Sequence, residues 1–229
     1  MSILSIALNA EDSSFGRLVQ GVPAAPGFYQ RRGKRLFDVF ASGIGLLVLS
    51  PLFLVVAALI KLTSLGPMIY FQERVGRDER PFWIAKFRSM QGNAEQFGPT
   101  ITCRGDARIT AVGSVLRFLK MDELPQLWNV LTGDMSLVGP RPEVQRYVRT
   151  YDSRQKRVLT VRPGITDLAS IKYRNEARLL GQSSSPEVFY ESVILPHKLD
   201  LSLDYLENMS FSYDLLLLAK TVTAMLSAL

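Results

Sequence analysis

From Val39 to Ile60 the chain carries no charged residue. A helix of about 20 apolar residues spans a bilayer core, so this run predicts a membrane helix. Ser50-Pro51 lies at its middle. Proline removes a backbone N–H and crowds the preceding turn, and a serine hydroxyl can satisfy the carbonyl set free in lipid. Cations stand on both flanks: Arg31, Arg32, Lys34 and Arg35 before the run, and Lys61, Arg74, Arg77, Arg80, Lys86 and Arg88 after it. Basic flanks mark the cytoplasmic side. A hairpin that enters and leaves by one face obeys that rule at both ends, whereas a straight, proline-kinked span obeys it at one. On the residues alone the two stand level.

After Lys61 the pattern changes. Met68 to Val75 and Pro81 to Arg88 are rich in aromatic and β-branched residues with Gly76 to Arg80 between them, which predicts a short β-hairpin. Asn93 to Ile109 reads as a polar loop. Short helices are expected over Gly113 to Met121 and Leu124 to Leu131, the second opening with Pro125. Gly133 to Pro142 reads as a loop, Glu143 to Leu159 as a helix, and Arg162-Pro-Gly164 as a turn. The tail from Ser185 onward alternates apolar and polar residues and ends in the run Tyr213 to Leu229. It fits a helix lying along a membrane interface and equally one packed on the core.

Composition narrows the classes. Of 229 residues 47% are hydrophobic, and the net charge is +6. The isoelectric point near 9.5 suits anionic partners: lipid headgroups, phosphate substrates or nucleic acid. One cysteine, Cys103, and one histidine, His197, leave no intramolecular disulfide and exclude a Cys/His zinc site or a Cys-His nucleophile. His197 reads as a surface residue. Residues 1–33 lack the charged start and long apolar core of a secretory signal and read as a loosely structured extension.

Two constellations carry chemistry. Asp122-Glu123 follows a basic helix and precedes Leu124-Pro125. At a helix N-terminus, backbone N–H groups keep a carboxylate ionised, as a nucleophile or a Mg²⁺ ligand must be. The plain alternative is an N-cap. The second constellation is cationic: Lys86, Arg88, Arg117 and Arg141, the last between Pro140 and Pro142. Two prolines stiffen that loop, and a fixed guanidinium clamps phosphate oxygens with two parallel hydrogen bonds. The alternative is a basic surface against anionic lipid.

The order of the motifs adds what each lacks alone. Lys34-Arg-Leu-Phe-Asp38, the apolar run with its Ser-Pro, Glu73-Arg-Val-Gly-Arg77, Lys86-Phe-Arg-Ser-Met90, Asp122-Glu-Leu-Pro-Gln-Leu-Trp-Asn129, Gly133-Asp-Met-Ser-Leu-Val-Gly-Pro-Arg-Pro142 and Arg162-Pro-Gly-Ile165 follow one another over roughly residues 34–172. The chain closely resembles the bacterial sugar transferase family, the small monotopic polyprenyl-phosphate sugar-phosphate transferases. That resemblance implies an α-dominated α+β fold with a re-entrant membrane helix breaking at Ser50 and Pro51, interfacial amphipathic helices, and a small β-hairpin by the active site. Residues 1–33 would be an extension, 34–61 the re-entrant helix, 62–180 a cytoplasmic catalytic domain, and 181–229 membrane-interface helices.

The same resemblance implies chemistry. Asp122 would attack the sugar-bearing phosphate of a UDP-sugar, release UMP and hold a covalent phospho-sugar, which polyprenyl phosphate then removes. Glu123, with Asp122, would bind Mg²⁺; Lys86, Arg88, Arg117 and Arg141 would hold substrate phosphates, with Pro140 and Pro142 positioning the loop. The enzyme would work on the cytoplasmic face of a bacterial inner membrane, against membrane lipids. Asp167-Leu-Ala departs from the family pattern, which places Gly-Leu there. Other readings are a non-catalytic basic membrane-surface module, direct attack of the lipid phosphate on the UDP-sugar, and nucleic-acid binding, which the apolar run opposes. No motif names the sugar or the glycan, and a homodimer stays open.

Overall fold

The computed structural model describes residues 27–92 and 106–226. Most of the N-terminal extension, Cys103 and most of the loop expected over 93–109 lie outside them. A short helical lead-in, Tyr29–Gly33, runs into α1 (Lys34–Thr63). Then come β1 (Ile69–Val75), β2 (Pro81–Phe87), α2 (Ala111–Phe118), a 3₁₀ turn at Met121–Glu123, α3 (Gln126–Thr132) and β3 (Ser136–Val138). The rest is α4 (Gln145–Val148), a 3₁₀ segment at Gln155–Thr160, β4 (Gly164–Thr166), α5 (Leu168–Lys172), α6 (Glu176–Leu180), α7 (Pro186–Phe189), α8 (Leu195–Asn208) and α9 (Phe211–Leu226). The fold is helix-dominated with two small two-stranded sheets.

The break expected at Ser50-Pro51 is not seen: helix α1 runs unbroken from Lys34 to Thr63 with Pro51 inside it. The local reason is a substituted hydrogen bond. Pro51 has no N–H to offer the carbonyl one turn back, and the Ser50 hydroxyl donates to that carbonyl, Leu47 O, at 2.8 Å. The middle of α1 is bare, with Leu47 75% and Leu54 74% exposed. Both ends pack on the rest of the protein. Near the start, Asp38 is buried and accepts from Leu137 N (3.0 Å) and Ser136 Oγ (2.8 Å). Near the end, Val56 and Ile60 join Phe87 and Leu116 in a core cluster. Burying a side chain such as Ile60 contributes roughly 2 kcal/mol. With its lead-in, this is the helix long and apolar enough to cross a membrane among the described residues.

The hairpin forms where alternation and turn residues place it. β1 and β2 pair antiparallel with Glu73 opposite Trp83 and Tyr70 opposite Lys86. Asp78 and Glu79 take φ of 58° and 59°, the handedness that matches the twist of paired strands in a tight hairpin.

Two expected loops contain strands instead. β3 and β4 pair in parallel, Ser136 with Gly164 and Val138 with Thr166, so the Arg162-Pro-Gly164 turn gives way directly to a strand. A Cβ on Gly164 would lie 2.1 Å from Gly139 N, a close approach that requires glycine. The helix expected over Glu143 to Leu159 is two pieces, because Asp152 caps a new turn by accepting from Gln155 N (2.7 Å). α8 buries Leu195, Leu199 and Leu203 against Tyr147, Val148, Tyr151 and Val158. α9 buries Leu217 beside Tyr205 and Val138 and leaves Phe211, Leu215, Leu216 and Val222 exposed. His197 is half-buried rather than on the surface: its Nδ1 meets Tyr173 Oη at 2.5 Å.

Candidate active site

The site is assembled from four short segments. β2 delivers Lys86, α2 delivers Arg117, the 3₁₀ turn carries Asp122 and Glu123, and the loop after β3 carries Arg141. Asn129 on α3 stitches two of them together: its amide accepts from Ala85 N (2.9 Å) and donates to Trp83 O (2.8 Å). That fixes the strand carrying Lys86 beside the helix that follows Glu123. Gly113 lets α2 touch the end of β2, since a Cβ there would stand 1.9 Å from Ser89 O. Arg117 Nε then donates to Ser89 Oγ at 2.8 Å. Lys120, just before the carboxylates, holds a left-handed conformation (φ 56°), the kind of backbone cost that persists where surroundings over-determine it.

Glu123 is clamped. Arg141 makes a two-pronged contact, Nη2 to Oε1 at 2.5 Å and Nη1 to Oε2 at 3.1 Å, and Lys86 Nζ reaches Oε1 at 3.2 Å. Burial alone would raise the Glu123 pKa, but Arg141 and then Lys86 outweigh it and hold the carboxyl well below its ordinary range. In return, the Glu123 charge raises Arg141. Burial lowers Lys86, with Glu123 opposing, and burial likewise lowers Arg117, with Asp122 opposing.

Asp122 differs. It is buried, and its Oδ1 has no hydrogen-bond partner. Burial pushes its carboxyl up to about 6, the Glu123 charge adds to that, and Lys86, Arg117 and Lys120 oppose it. Neither carboxylate caps a helix: Pro125 stands at the start of α3 and makes no side-chain cap. A carboxylate held free of partners inside a ring of cations suits nucleophilic attack on an anionic phosphate.

The remaining expected residues fall in different places. Pro140 and Pro142 flank Arg141 in the loop that leaves β3, and Arg74 Nη1 donates to Pro142 O at 3.3 Å. Arg74, which the sequence offered only as a flanking charge, thus braces the loop. Arg88 makes no ion pair with either carboxylate; its Nη2 donates to Ser64 O (2.8 Å) and Ser64 Oγ (2.7 Å) beyond the end of α1. Its Nε and Nη1 are buried without partners. Ser50 and Pro51 are exposed in the middle of α1. Among the described residues no group of three or more His, Cys, Asp or Glu converges. Asp122 and Glu123 are the adjacent carboxylates, and Glu123 already meets two cations.

Comparison with known proteins places the chain. A family model described as bacterial sugar transferase matches residues 29–228. A UDP-N-acetylgalactosamine-undecaprenyl-phosphate N-acetylgalactosaminephosphotransferase of Aeromonas hydrophila is 40% identical over 197 residues, covering 85% of this chain and 44% of that protein. The exopolysaccharide production protein ExoY of Rhizobium meliloti is 36% identical over 206 residues, covering 83% of this chain and 84% of its own length. A UDP-glucose:undecaprenyl-phosphate glucose-1-phosphate transferase of Caulobacter vibrioides is 37% identical over 199 residues, 85% of this chain and 70% of that protein. This chain spans under half of the Aeromonas protein and most of ExoY. It belongs to the bacterial sugar transferase family.

Proposed function

We propose that this bacterial sugar transferase moves a sugar-1-phosphate from a UDP-sugar to a polyprenyl phosphate, releasing UMP, as the first membrane step in building a polysaccharide or glycoconjugate. The observation that carries the reading is Asp122: a buried carboxylate with a partnerless oxygen, set among Lys86, Arg117 and Lys120. Asp122 Oδ1 attacks the sugar-bearing phosphorus, and the bond from that phosphorus to the bridging oxygen breaks, so UMP leaves. A phosphate oxygen of the polyprenyl carrier then attacks the same phosphorus. The bond to Asp122 breaks, the carboxylate is restored, and polyprenyl-diphosphate-sugar is the product. Arg141 and Lys86 neutralise charge that would otherwise repel two anionic substrates.

Mg²⁺ belongs to the same proposal. Its usual site is one or two carboxylates completed by substrate phosphates and water. The adjacent carboxylates on the 3₁₀ turn would supply the protein's part of that set, Asp122 through the oxygen other than Oδ1, with Glu123 beside it. Bound there, the ion would offset phosphate charge. Glu123, in contact with Arg141 and Lys86, holds those cations in the site in either case.

The membrane arrangement is part of the same proposal. A helix whose two ends both pack on one folded body, with a bare apolar middle, supports a re-entrant insertion that leaves the body on one face. Exposed apolar residues on α2 (Val115, Phe118) and α9 (Leu215, Leu216) support helices lying at the interface. Basic flanks support the cytoplasmic side of the inner membrane for that face, where nucleotide-sugars are made and where a lipid acceptor could reach Asp122.

The test is UMP release from a panel of UDP-sugars by protein in detergent or lipid with Mg²⁺, with and without polyprenyl phosphate, for wild type and Asp122→Asn. Turnover that needs the lipid and is lost in the variant is expected. Turnover that survives in Asp122→Asn sinks the covalent route and leaves direct attack. Folded protein that releases no UMP from any donor sinks the enzyme in favour of a membrane-surface module.

A further inference from the structure

Among the described residues two buried carboxyl oxygens lack a hydrogen-bond partner, Asp122 Oδ1 and Asp167 Oδ2. The first is the nucleophile proposed above. The second has no role in that chemistry. Asp167 is 1% exposed and directly follows β4. Its other oxygen, Oδ1, accepts from Ser170 N at 2.7 Å, so one half of the carboxyl is committed to the fold and the other is not. Ser170 Oγ is also buried without a partner. Both residues line a cavity of about 20 Å³ whose wall includes Pro140, Arg141, Lys198 and Ser202.

Topology explains why this cavity adjoins the site. β3 and β4 are parallel, so the Arg141 loop and Asp167 emerge from the same ends of neighbouring strands, tied by Gly139 N to Thr166 O at 3.0 Å. Arg141 has its guanidinium on Glu123 and also lines the cavity. Arg141 thus links the cavity at Asp167 to the carboxylate pair.

We propose that Asp167 is a substrate-contacting residue that sets sugar specificity: its Oδ2, with Ser170 Oγ, receives a hydroxyl or amino substituent of the sugar being transferred. This rests on the reading that Arg141 holds the donor's phosphate. The cavity has room for one or two water-sized groups and not for a sugar ring, so it reads one substituent while the ring stays outside. A buried acceptor with no donor is costly. A donor substituent on the matching sugar meets it, and a sugar whose substituent points elsewhere leaves the acceptor unpaired. Sites that hydrogen-bond a substrate hydroxyl discriminate strongly against analogues that lack it, whereas apolar pockets do not.

The variant that isolates this contact is Asp167→Asn. Asparagine caps helices as well as aspartate, so its amide oxygen keeps the bond from Ser170 N while its NH₂ turns a donor into the cavity. Wild type, Asp167→Asn and Ser170→Ala are compared on UDP-glucose, UDP-galactose and their N-acetylated forms, with inhibition by UMP measured alongside. For Asp167→Asn we expect kcat/KM for the preferred donor to fall at least about tenfold. The poor donors should change little and the UMP inhibition constant should not move, because UMP carries no sugar. Ser170→Ala should narrow the same preference to a smaller degree. Equal losses for every donor, a UMP constant that shifts in step, or an unchanged preference in both variants overturns the proposal and leaves the transferase standing. A wild type that releases no UMP from any donor overturns both.

Discussion

Asp38 and Asp214 are buried as deeply as Asp122, yet their surroundings are opposite in kind. Asp214 takes Tyr205 Oη on Oδ1 at 2.7 Å, and Tyr29 Oη and Lys34 Nζ on Oδ2, each at 2.5 Å. Asp38 takes Leu137 N and Ser136 Oγ, one on each oxygen. These bonds tie the start of α1 to α9 and to β3, the strand that leads into the Arg141 loop. Asp122 has cations nearby but no partner on Oδ1. A fully met buried carboxylate specifies the fold, whereas one left unmet is held ready for something that is not part of the chain. The two centres share a residue type and a depth, and only their partners tell structure from chemistry.

The sharpest way to break that contrast is to make the same change in both. Asp122→Asn is expected to lower transfer by about 10⁴-fold while the protein stays folded and monodisperse. Asp214→Asn removes the partner of the buried Lys34 (12% exposed) and is expected to cost about 3 kcal/mol of stability. The molecules that remain folded should retain near-normal turnover. Thermal melts beside UMP release check both. If Asp214→Asn instead lost turnover at full stability, the distinction between the two centres would fail.

A smaller effect is expected within the active centre. Arg141→Lys keeps the charge and loses the fork that meets both oxygens of Glu123. Lysine cannot reproduce two parallel bonds, so kcat/KM should fall about tenfold to a hundredfold, with most of the loss in kcat. Arg88→Lys should weaken the protein rather than the reaction, since Arg88 contacts Ser64 and not the carboxylate pair. A comparable kcat loss from Arg88→Lys at unchanged stability would place Arg88 back among the phosphate-binding cations.

What the sequence disclosed divides along the same line. The apolar α1 and the β1–β2 hairpin were legible because each rests on local patterns, an uncharged run and alternation around Gly76 to Arg80. Asp122-Glu123, Lys86 and Arg141 were legible because their motifs come in a recognisable order, and the structure brings those four together. β3 and β4 were not, because three residues each are too few to show a period and their pairing joins segments 28 positions apart. The partners of Asp214 were hidden for the same reason: Lys34 is 180 positions away and Tyr29 is 185. Arg74 looked like one more flanking cation until the fold set it under Pro142. Asp167 was visible only as a departure from pattern; its unpartnered oxygen depends on which segments pack around it.

The smallest expected effect is a slope. Burial and the Glu123 charge push Asp122 up to about 6, while an aspartate in the unfolded chain titrates near 3.8. Between those values the folded protein holds a proton that the unfolded chain has released, so folding is favoured at the acidic end. That contribution is fully present below about pH 4 and is lost as the pH rises through 6. Asp122→Asn cannot titrate and lacks this loss. The variant should therefore gain on wild type as the pH climbs from about 4 to about 6, reaching about 1–3 kcal/mol and a few degrees in Tm, and the gap should stay constant above that. Wild-type kcat/KM should move the opposite way, falling about tenfold per unit below pH 6, because the protonated carboxyl is no nucleophile. Glu123, held low by Arg141 and Lys86, adds an opposite slope near pH 4.5 to wild type and variant alike, so it cancels from the gap, and because it stays ionised it leaves kcat/KM unchanged in that window. A melting gap that does not change with pH would mean that Asp122 is met by a partner in solution, and the contrast with Asp214 would disappear.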